Sequence, residues 1–426
     1  MLNKTTSFKS LYKRGLQFGT LLLAFCLPQL TLSAYSLPLT NPLEATQQEY
    51  AQRYNAQPGI KKISDEDVNM HVPQDNRWLV ALSKAHQVMD VENDAVKQTV
   101  HCAGGVTVKE SLVVDALVRT ALVHLPCNYE EEGKQYPLVL VLHGARLNGK
   151  IAQEVTGFDK WANQEGFVVA YPTALNHQWN DGRNPGDTPS GDVNDTKFLL
   201  KLMDSLAVKY HADPSRIYIT GYSSGGMMAQ RMGMEYPHRI AAIAPVASSI
   251  PEPLFNRKLQ PSLPVPVLMI NGTDDHAFPW EGGNTRILGV RVGDVLPVPK
   301  SLQYWINANG GDVDTPESIH CASGPAVQEE PTSVDVEYHH TKKNACVLLY
   351  KVNNGGHTWP GSEVPLNYIP FLGRQNRDLS ASELIWQFFK RYTREQALTS
   401  TPVSVTPPNP IQLNPTQVAP QVIPTE

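Results

Sequence analysis

From about Thr107 to Tyr392, short apolar runs alternate with longer stretches whose apolar residues recur at helical spacing. Continuous apolar runs bounded by turn-forming residues fit strands buried on both faces. Their alternation with helices predicts an α/β architecture, a mostly parallel sheet with helices on both faces. The runs predict strands over Pro137–Leu142, Phe167–Tyr171, Arg216–Thr220, Ala242–Ala247, Val265–Ile270 and Cys346–Val352. The helical spacing predicts helices over Ile151–Gln164, Asp195–Tyr210, Gly225–Glu235, Pro299–Ala308 and Ser380–Tyr392, with Asp192 or Asn194 capping the second.

The ends of the chain break this pattern. Lys4, Lys9, Lys13 and Arg14 precede an apolar stretch, Leu16 to Leu27, and a small-residue ending, Leu32-Ser33-Ala34, which together read as an export signal over 1–34. Pro28 interrupts the apolar run before the roughly 20 residues that a membrane span needs, so a secreted protein, extracellular or periplasmic, is expected rather than an anchored one. Residues 35–106 form a polar N-terminal extension with one amphipathic stretch, Trp78 to Leu82, and 107–396 the catalytic domain. The tail, 397–426, is rich in proline and has Glu426 as its only charge, so it is expected to be extended and disordered.

Charge removes one class of function. With 36 basic and 41 acidic side chains the formal charge is −5, leaving no basic excess for an extended nucleic-acid surface. Export also changes the reading of the cysteines. Cys26 leaves with the signal, and Cys102, Cys127, Cys321 and Cys346 remain without a Cys-x-x-Cys spacing for zinc or a redox pair. Of three possible pairings, Cys102–Cys127 and Cys321–Cys346 are favoured, because each closes a local loop flanked by strand-like sequence, worth roughly 3 to 4 kcal/mol apiece.

The strongest chemical signal is Gly221-Tyr222-Ser223-Ser224-Gly225, which follows a predicted strand and opens a predicted helix. A turn that sharp holds the serine with strained dihedrals and requires small residues two before and two after it. The helix aims its positive end at the site, and the Ser224 N–H becomes an oxyanion donor. A serine hydroxyl needs a base, and the base needs an orienting carboxylate, in the chain order acid then histidine. Asn271-Gly272-Thr273-Asp274-Asp275-His276 follows one strand and supplies the acid. Asn353-Asn354-Gly355-Gly356-His357 follows the last and supplies His357 as base. The second oxyanion donor is expected after an early strand, in His143-Gly144-Ala145-Arg146, with the Ala145 N–H first and Arg146 second; His143 itself reads as structural.

These motifs, with Tyr171-Pro172, Trp179-Asn180-Asp181-Gly182-Arg183, Ala244-Pro245-Val246-Ala247, Trp280-Glu281-Gly282-Gly283 and His357-Thr358-Trp359-Pro360-Gly361, occur in one order. Over residues 110–392 the chain resembles the secreted polyhydroxybutyrate depolymerase and feruloyl esterase-like α/β hydrolases, which include carbohydrate esterases. The resemblance implies an α/β-hydrolase fold, Ser223 as nucleophile, Asp275 as acid, His357 as base, and a bond between Cys321 and Cys346. Trp179, Trp280 and Trp359 lie beside the catalytic loops and are expected to stack on an aromatic acid or a sugar.

Departures shape the substrate expected. Asn194-Asp195-Thr196 stands where the family usually has Asp-Asp-Val, and Ala145 where depolymerases often have cysteine. No separate substrate-binding domain follows Tyr392, which favours soluble or polysaccharide-linked esters over solid polyester. The expectation is a monomeric or weakly oligomeric serine esterase without metal or organic cofactor. It should prefer neutral esters with a short or aromatic acyl group, in a cleft with no recognisable cation. A serine peptidase of the same fold and a non-catalytic binding protein are the rival readings.

Overall fold

The chain enters its sheet through an antiparallel hairpin, β1 (Val106–Val114) and β2 (Leu117–Leu125). There follow β3 (Tyr136–Leu142), β4 (Val168–Thr173), β5 (Ala212–Tyr222), β6 (Ala242–Val246) and β7 (Val267–Gly272). A separate two-stranded sheet, β8 (Gly283–Ile287) and β9 (Val290–Val295), intervenes before β10 (Glu317–Cys321), β11 (Ser333–His339) and β12 (Val347–Asn353). The large sheet has the order β1-β2-β4-β3-β5-β6-β7-β12-β11-β10, parallel from β4 to β12 and antiparallel at both margins.

This computed structural model describes residues 104–394 apart from 131–132, 185–192, 288–289, 312–316, 322–331, 342–344 and 365–371. All of these belong to one of the chain's two compact units, Asn69–Glu426. The expected export signal, nearly all of the N-terminal extension and the proline-rich tail lie outside the described residues. Among the described residues no helix is long and apolar enough to cross a membrane.

Helices cover both faces, which is why the central strands are apolar runs rather than alternating ones. In β3, Leu138, Leu140 and Leu142 share a core with α3 (Asp195–Lys209), α4 (Ser224–Glu235) and α6 (Val298–Ala308), while Val139 and Val141 turn to the opposite core. That second core holds α1 (Gly149–Thr156), α2 (Phe158–Glu165) and α7 (Ala381–Phe389). A short helix, α5 (Glu252–Phe255), follows β6. The helix expected over Ile151–Gln164 is divided because Gly157 adopts φ 59°, ending α1 with its N–H on the Gln153 carbonyl. Asn194, not Asp192, caps α3, accepting from the Lys197 N–H at 2.9 Å.

Strand order fixes where chemistry can occur. β3 is flanked by β4 and β5, so successive crossovers leave it in opposite directions and open a crevice at the carboxyl ends of these strands. This topology is the α/β-hydrolase architecture expected from the sequence.

Strand register overturns one expected disulfide. Cys321 pairs with Val334, whereas Val347, which follows Cys346, pairs with His339 at the other end of β11. The five steps from residue 334 to 339 span roughly 17 Å along the strand, far beyond the few ångströms a disulfide bridges. Cys346 is instead a buried free thiol whose Sγ lies 2.7 Å from the Tyr392 hydroxyl. Burial pushes that thiol up to about 11, so it should resist a thiol reagent in the native protein and react once the protein is unfolded. Rapid native labelling of Cys346 would contradict this packing. The other expected pair cannot be compared, because Cys102 lies outside the described residues.

Candidate active site

Ser223 occupies the single residue between β5 and α4, with φ 58° and ψ −122°. Such backbone costs a serine about 1–3 kcal/mol and persists only where neighbours enforce it. Here the Ser223 N–H donates to the Val246 carbonyl at 2.9 Å, and its own carbonyl accepts from Gly226 and Met227. The motif's glycines are required by close approach: a Cβ on Gly221 would stand 2.4 Å from the Gly225 carbonyl carbon, and one on Gly225 2.2 Å from the Leu142 oxygen. The spacing Gly-x-Ser-x-Gly therefore records β3, β5 and α4 meeting at one point.

Asp275 and His357, the expected acid and base, meet across the ends of β7 and β12. Asp275 accepts from the N–H groups of Ala277 and Phe278 at 2.9 and 2.7 Å through Oδ1, and its Oδ2 lies 2.8 Å from His357 Nδ1. Both residues are buried. Asp274 turns away, half-exposed, toward His276 and Arg374 at 3.6 and 3.5 Å. Of the two adjacent acids, Asp275 is the one that orients His357.

Two rings pack against the imidazole. Phe278 lies parallel to it with centroids 5.0 Å apart, and Tyr222, the residue before Ser223, approaches at the same distance. The Tyr222 hydroxyl donates to the His357 carbonyl at 2.6 Å, tying the base to the end of β5. A segment that sequence reading missed, Leu372 to Gln375, clamps the loop. The N–H groups of His357 and Gly356 donate to the carbonyls of Leu372 and Arg374, and Gln375 Nε2 donates to the carbonyls of Trp359 and Ser362. A Cβ on Gly356 would stand 2.0 Å from the Leu372 oxygen, so the glycine serves the clamp. Nothing in the sequence of this polar strap signals its role.

The loop after β3 separates the two expected oxyanion donors. The Arg146 N–H is taken by the His177 carbonyl at 2.8 Å, whereas the Ala145 N–H has no partner among the described residues. His143 beneath them is structural: its Nε2 accepts from the Ala174 N–H, leaving the proton on Nδ1 to donate to the Gly144 carbonyl. Burial lowers its pKa to about 3. The unfolded chain therefore binds a proton below about pH 6.5 that the native state refuses, so stability is full above that pH and falls as pH drops toward 3. The slope should approach about 1.4 kcal/mol per pH unit. Chemical denaturation of wild type and His143→Gln across this range checks it; identical pH slopes would contradict it.

The BD-FAE family model matches residues 123–244. A Nocardia uniformis subsp. tsuyamanensis protein named as an esterase, NocK, is 29% identical over 294 residues, covering 67% of this chain and 83% of that protein. Feruloyl esterase B of Piromyces equi is 27% identical over 246 residues, 56% of this chain but 42% of that enzyme. Poly(3-hydroxyalkanoate) depolymerase C of Paucimonas lemoignei is 32% identical over 120 residues, 26% of this chain and 27% of the depolymerase. The chain is related to the feruloyl esterase- and depolymerase-like α/β hydrolases. The matched stretch of the family model begins in β2 and ends in β6, and so contains both the Ala145 loop and the Ser223 turn.

Two of the three tryptophans expected to face substrate in this hydrolase do not. Trp179 is fully buried, lies 4.9 Å from the His143 ring and donates from Nε1 to the His143 carbonyl at 2.8 Å. Trp359 is also buried, against Phe158, with its N–H on Ser382. Both were drawn next to the catalytic loops by packing: each braces a loop from below. Trp280 alone reaches open space. It lines a cleft of about 440 Å³ with Thr273, Asp274, Asp275, His276, Pro279, Glu281 and Lys351. Lys351 also corrects the expectation that no cation is available, since its Nζ lies 5.5 Å from the Trp280 ring centroid.

A buried network supports the Ala145 loop from behind. Arg119 on β2 pairs with Asp195 at 2.5 Å, and the Asp195 Oδ2 accepts from the Asn180 N–H at 2.7 Å. Arg231 on α4 donates to the Asn180 carbonyl and side-chain oxygen. The residue before Asn180 is Trp179, so the network runs from the sheet margin and α4 to His143.

Proposed function

We propose that the protein is a serine esterase, exported and acting as a monomer, that cleaves carboxylic esters through an acyl-enzyme. The observation that carries this reading is the Asp275 carboxylate on His357 Nδ1, with Ser223 on the strained turn that follows Tyr222, whose ring lies 5.0 Å from that of His357. Asp275 accepts a hydrogen bond from Nδ1–H, holding the tautomer whose Nε2 lone pair receives the proton of Ser223 as Oγ attacks the ester carbonyl. The negative oxygen formed is held by the N–H groups of Ser224 and Ala145, aided by the positive end of α4. Collapse expels the alcohol, which takes the proton from His357, and water then repeats the sequence to release the acid and restore Ser223. The preferred substrates are neutral esters with short or aromatic acyl groups.

A panel of acetyl, feruloyl, hydroxybutyryl and long-chain esters, with matched amides, tests the reading. Rapid turnover of short or aromatic esters and little of amides is expected; a maximum beyond about eight acyl carbons, or faster amide cleavage, would overturn it. Within the same assay Asp275→Asn should lower kcat by about 10⁴ through loss of the correct imidazole tautomer. Asp274→Asn should change it less than about threefold, as expected of an exposed ion pair. The reverse ranking would move the acid to Asp274.

A further inference from the structure

The Gly-x-Ser-x-Gly spacing leaves the residue before the serine open, and here it is Tyr222. Tyr222 ends β5 and pairs with Val246 of β6, so its backbone is set by the sheet. The side chain that rises from this fixed point is buried, and a phenol turns about only two side-chain bonds. It is a short, stiff arm.

The arm meets three pieces of the site. Ser223 is its neighbour in the chain. Its hydroxyl donates to the His357 carbonyl at 2.6 Å, with the two ring centroids 5.0 Å apart. One edge of its ring lies against Gly144, where a Cβ would stand 3.0 Å from Tyr222 Cδ1 and 3.4 Å from Cε1. Gly144 precedes Ala145, so a single side chain touches the turn of the nucleophile, the loop of the base and the loop of the second oxyanion donor.

The base needs such a link. His357 follows Gly355 and Gly356, two residues that restrict a backbone little. Its N–H is held by the Leu372 carbonyl and its carbonyl by Tyr222. The first bond fixes His357 against the strap; the second fixes it against Ser223, and proton transfer depends on that second distance. A misplacement of about 1 Å can cost about 10²-fold in rate. Burial, and after it the Asp275 charge, raises the phenol well above its ordinary range, so the hydroxyl stays a donor at neutral and mildly alkaline pH.

We infer that Tyr222 is a positioning residue: its hydroxyl sets His357 against Ser223, and its ring sets the Ala145 loop against both. The inference rests on the esterase reading and gives a role to a position that the motif leaves open.

Two substitutions separate the two contacts. Tyr222→Phe removes the hydroxyl and keeps the ring, whereas Tyr222→Leu removes both. With 4-nitrophenyl acetate, Tyr222→Phe should lower kcat about tenfold or more while KM changes less than about twofold. Phosphonylation of Ser223 by a fluorophosphonate should slow by a similar factor. The melting temperature should fall by about 5 °C or less, as for one lost hydrogen bond. In a His357→Ala background, Tyr222→Phe should change the residual turnover less than about twofold, because the hydroxyl acts through the imidazole. Tyr222→Leu should still lower it about tenfold there, because the ring serves the Ala145 loop.

Wild-type kcat in Tyr222→Phe, a rise in KM with kcat unchanged, an equal fold-loss with and without His357, or residual turnover unmoved by Tyr222→Leu would overturn the inference. Should Tyr222→Leu fail to fold, Tyr222→Phe in the two backgrounds decides. If the wild-type protein neither cleaves esters nor takes the probe on Ser223, the esterase reading itself fails. If it does both and Tyr222→Phe matches it, the inference fails and the esterase reading stands.

Discussion

Ser223→Ala should lower ester turnover by about 10⁴- to 10⁶-fold without lowering the melting temperature appreciably. The side chain replaced is a hydroxyl on a backbone already held by the Val246 carbonyl and by the bonds from Gly226 and Met227, so the turn survives its loss. His357→Ala should cost nearly as much, and the double substitution little more than either alone, since a nucleophile without its base and a base without its nucleophile are equally idle. Residual turnover would come from the Ser224 and Ala145 donors. Steady-state kinetics with 4-nitrophenyl acetate, paired with thermal unfolding, checks this. Near-normal kcat in Ser223→Ala would place the nucleophile elsewhere.

The largest stability effect is expected away from the reacting atoms. Asp195→Ala leaves the Arg119 guanidinium buried at 2% exposure without its carboxylate, which should cost about 3–5 kcal/mol. The same substitution frees the Asn180 N–H, and with it the turn that carries Trp179 beneath His143. Turnover should therefore fall along with stability. Replacing the pair together, as Arg119→Met with Asp195→Leu, removes both charges and should recover most of the stability, because the isolated charge is what destabilises. It should not recover turnover, since the Asn180 N–H still lacks its acceptor. Denaturant titration and kcat for the three proteins separate these effects; equal stability of the single and double variants would show that the ion pair is not what Asp195 contributes.

Residues that speak for themselves in sequence are those whose requirement is local. The apolar runs of β3 to β7 and β12 were legible because each is buried on both faces. Ser223 was legible because the close approach of Leu142 and Gly221 to Gly225 forbids larger side chains. β1 and β2 were not. Val113 and Val118 are 61% and 65% exposed on the face that carries Thr107, Lys109, Ser111 and Thr120, and Glu110 and Arg119 interrupt the apolar face, so the hairpin presents no run. The strap at Leu372–Gln375 works through backbone carbonyls, which leave no trace in residue type.

Long-range geometry was the harder part. Sequence separation suggested that Cys321 and Cys346 close a local loop, but they lie toward opposite ends of β11 because the chain reverses between them. Tryptophans next to catalytic motifs suggested a substrate surface. Trp179 and Trp359 instead fill the space under those motifs, and only the half-buried ring of Trp280 faces a cleft. Proximity in sequence placed all three correctly beside the site; which way each ring points is decided by packing.

Ser223, activated by His357, is proposed to form the covalent intermediate. Intact-mass analysis and peptide mapping after reaction with a fluorophosphonate test it directly. One adduct is expected, on Ser223, formed in step with loss of esterase activity and absent from His357→Ala on the same timescale. Full inactivation with the adduct on another residue, or undiminished activity with Ser223 fully modified, would contradict it.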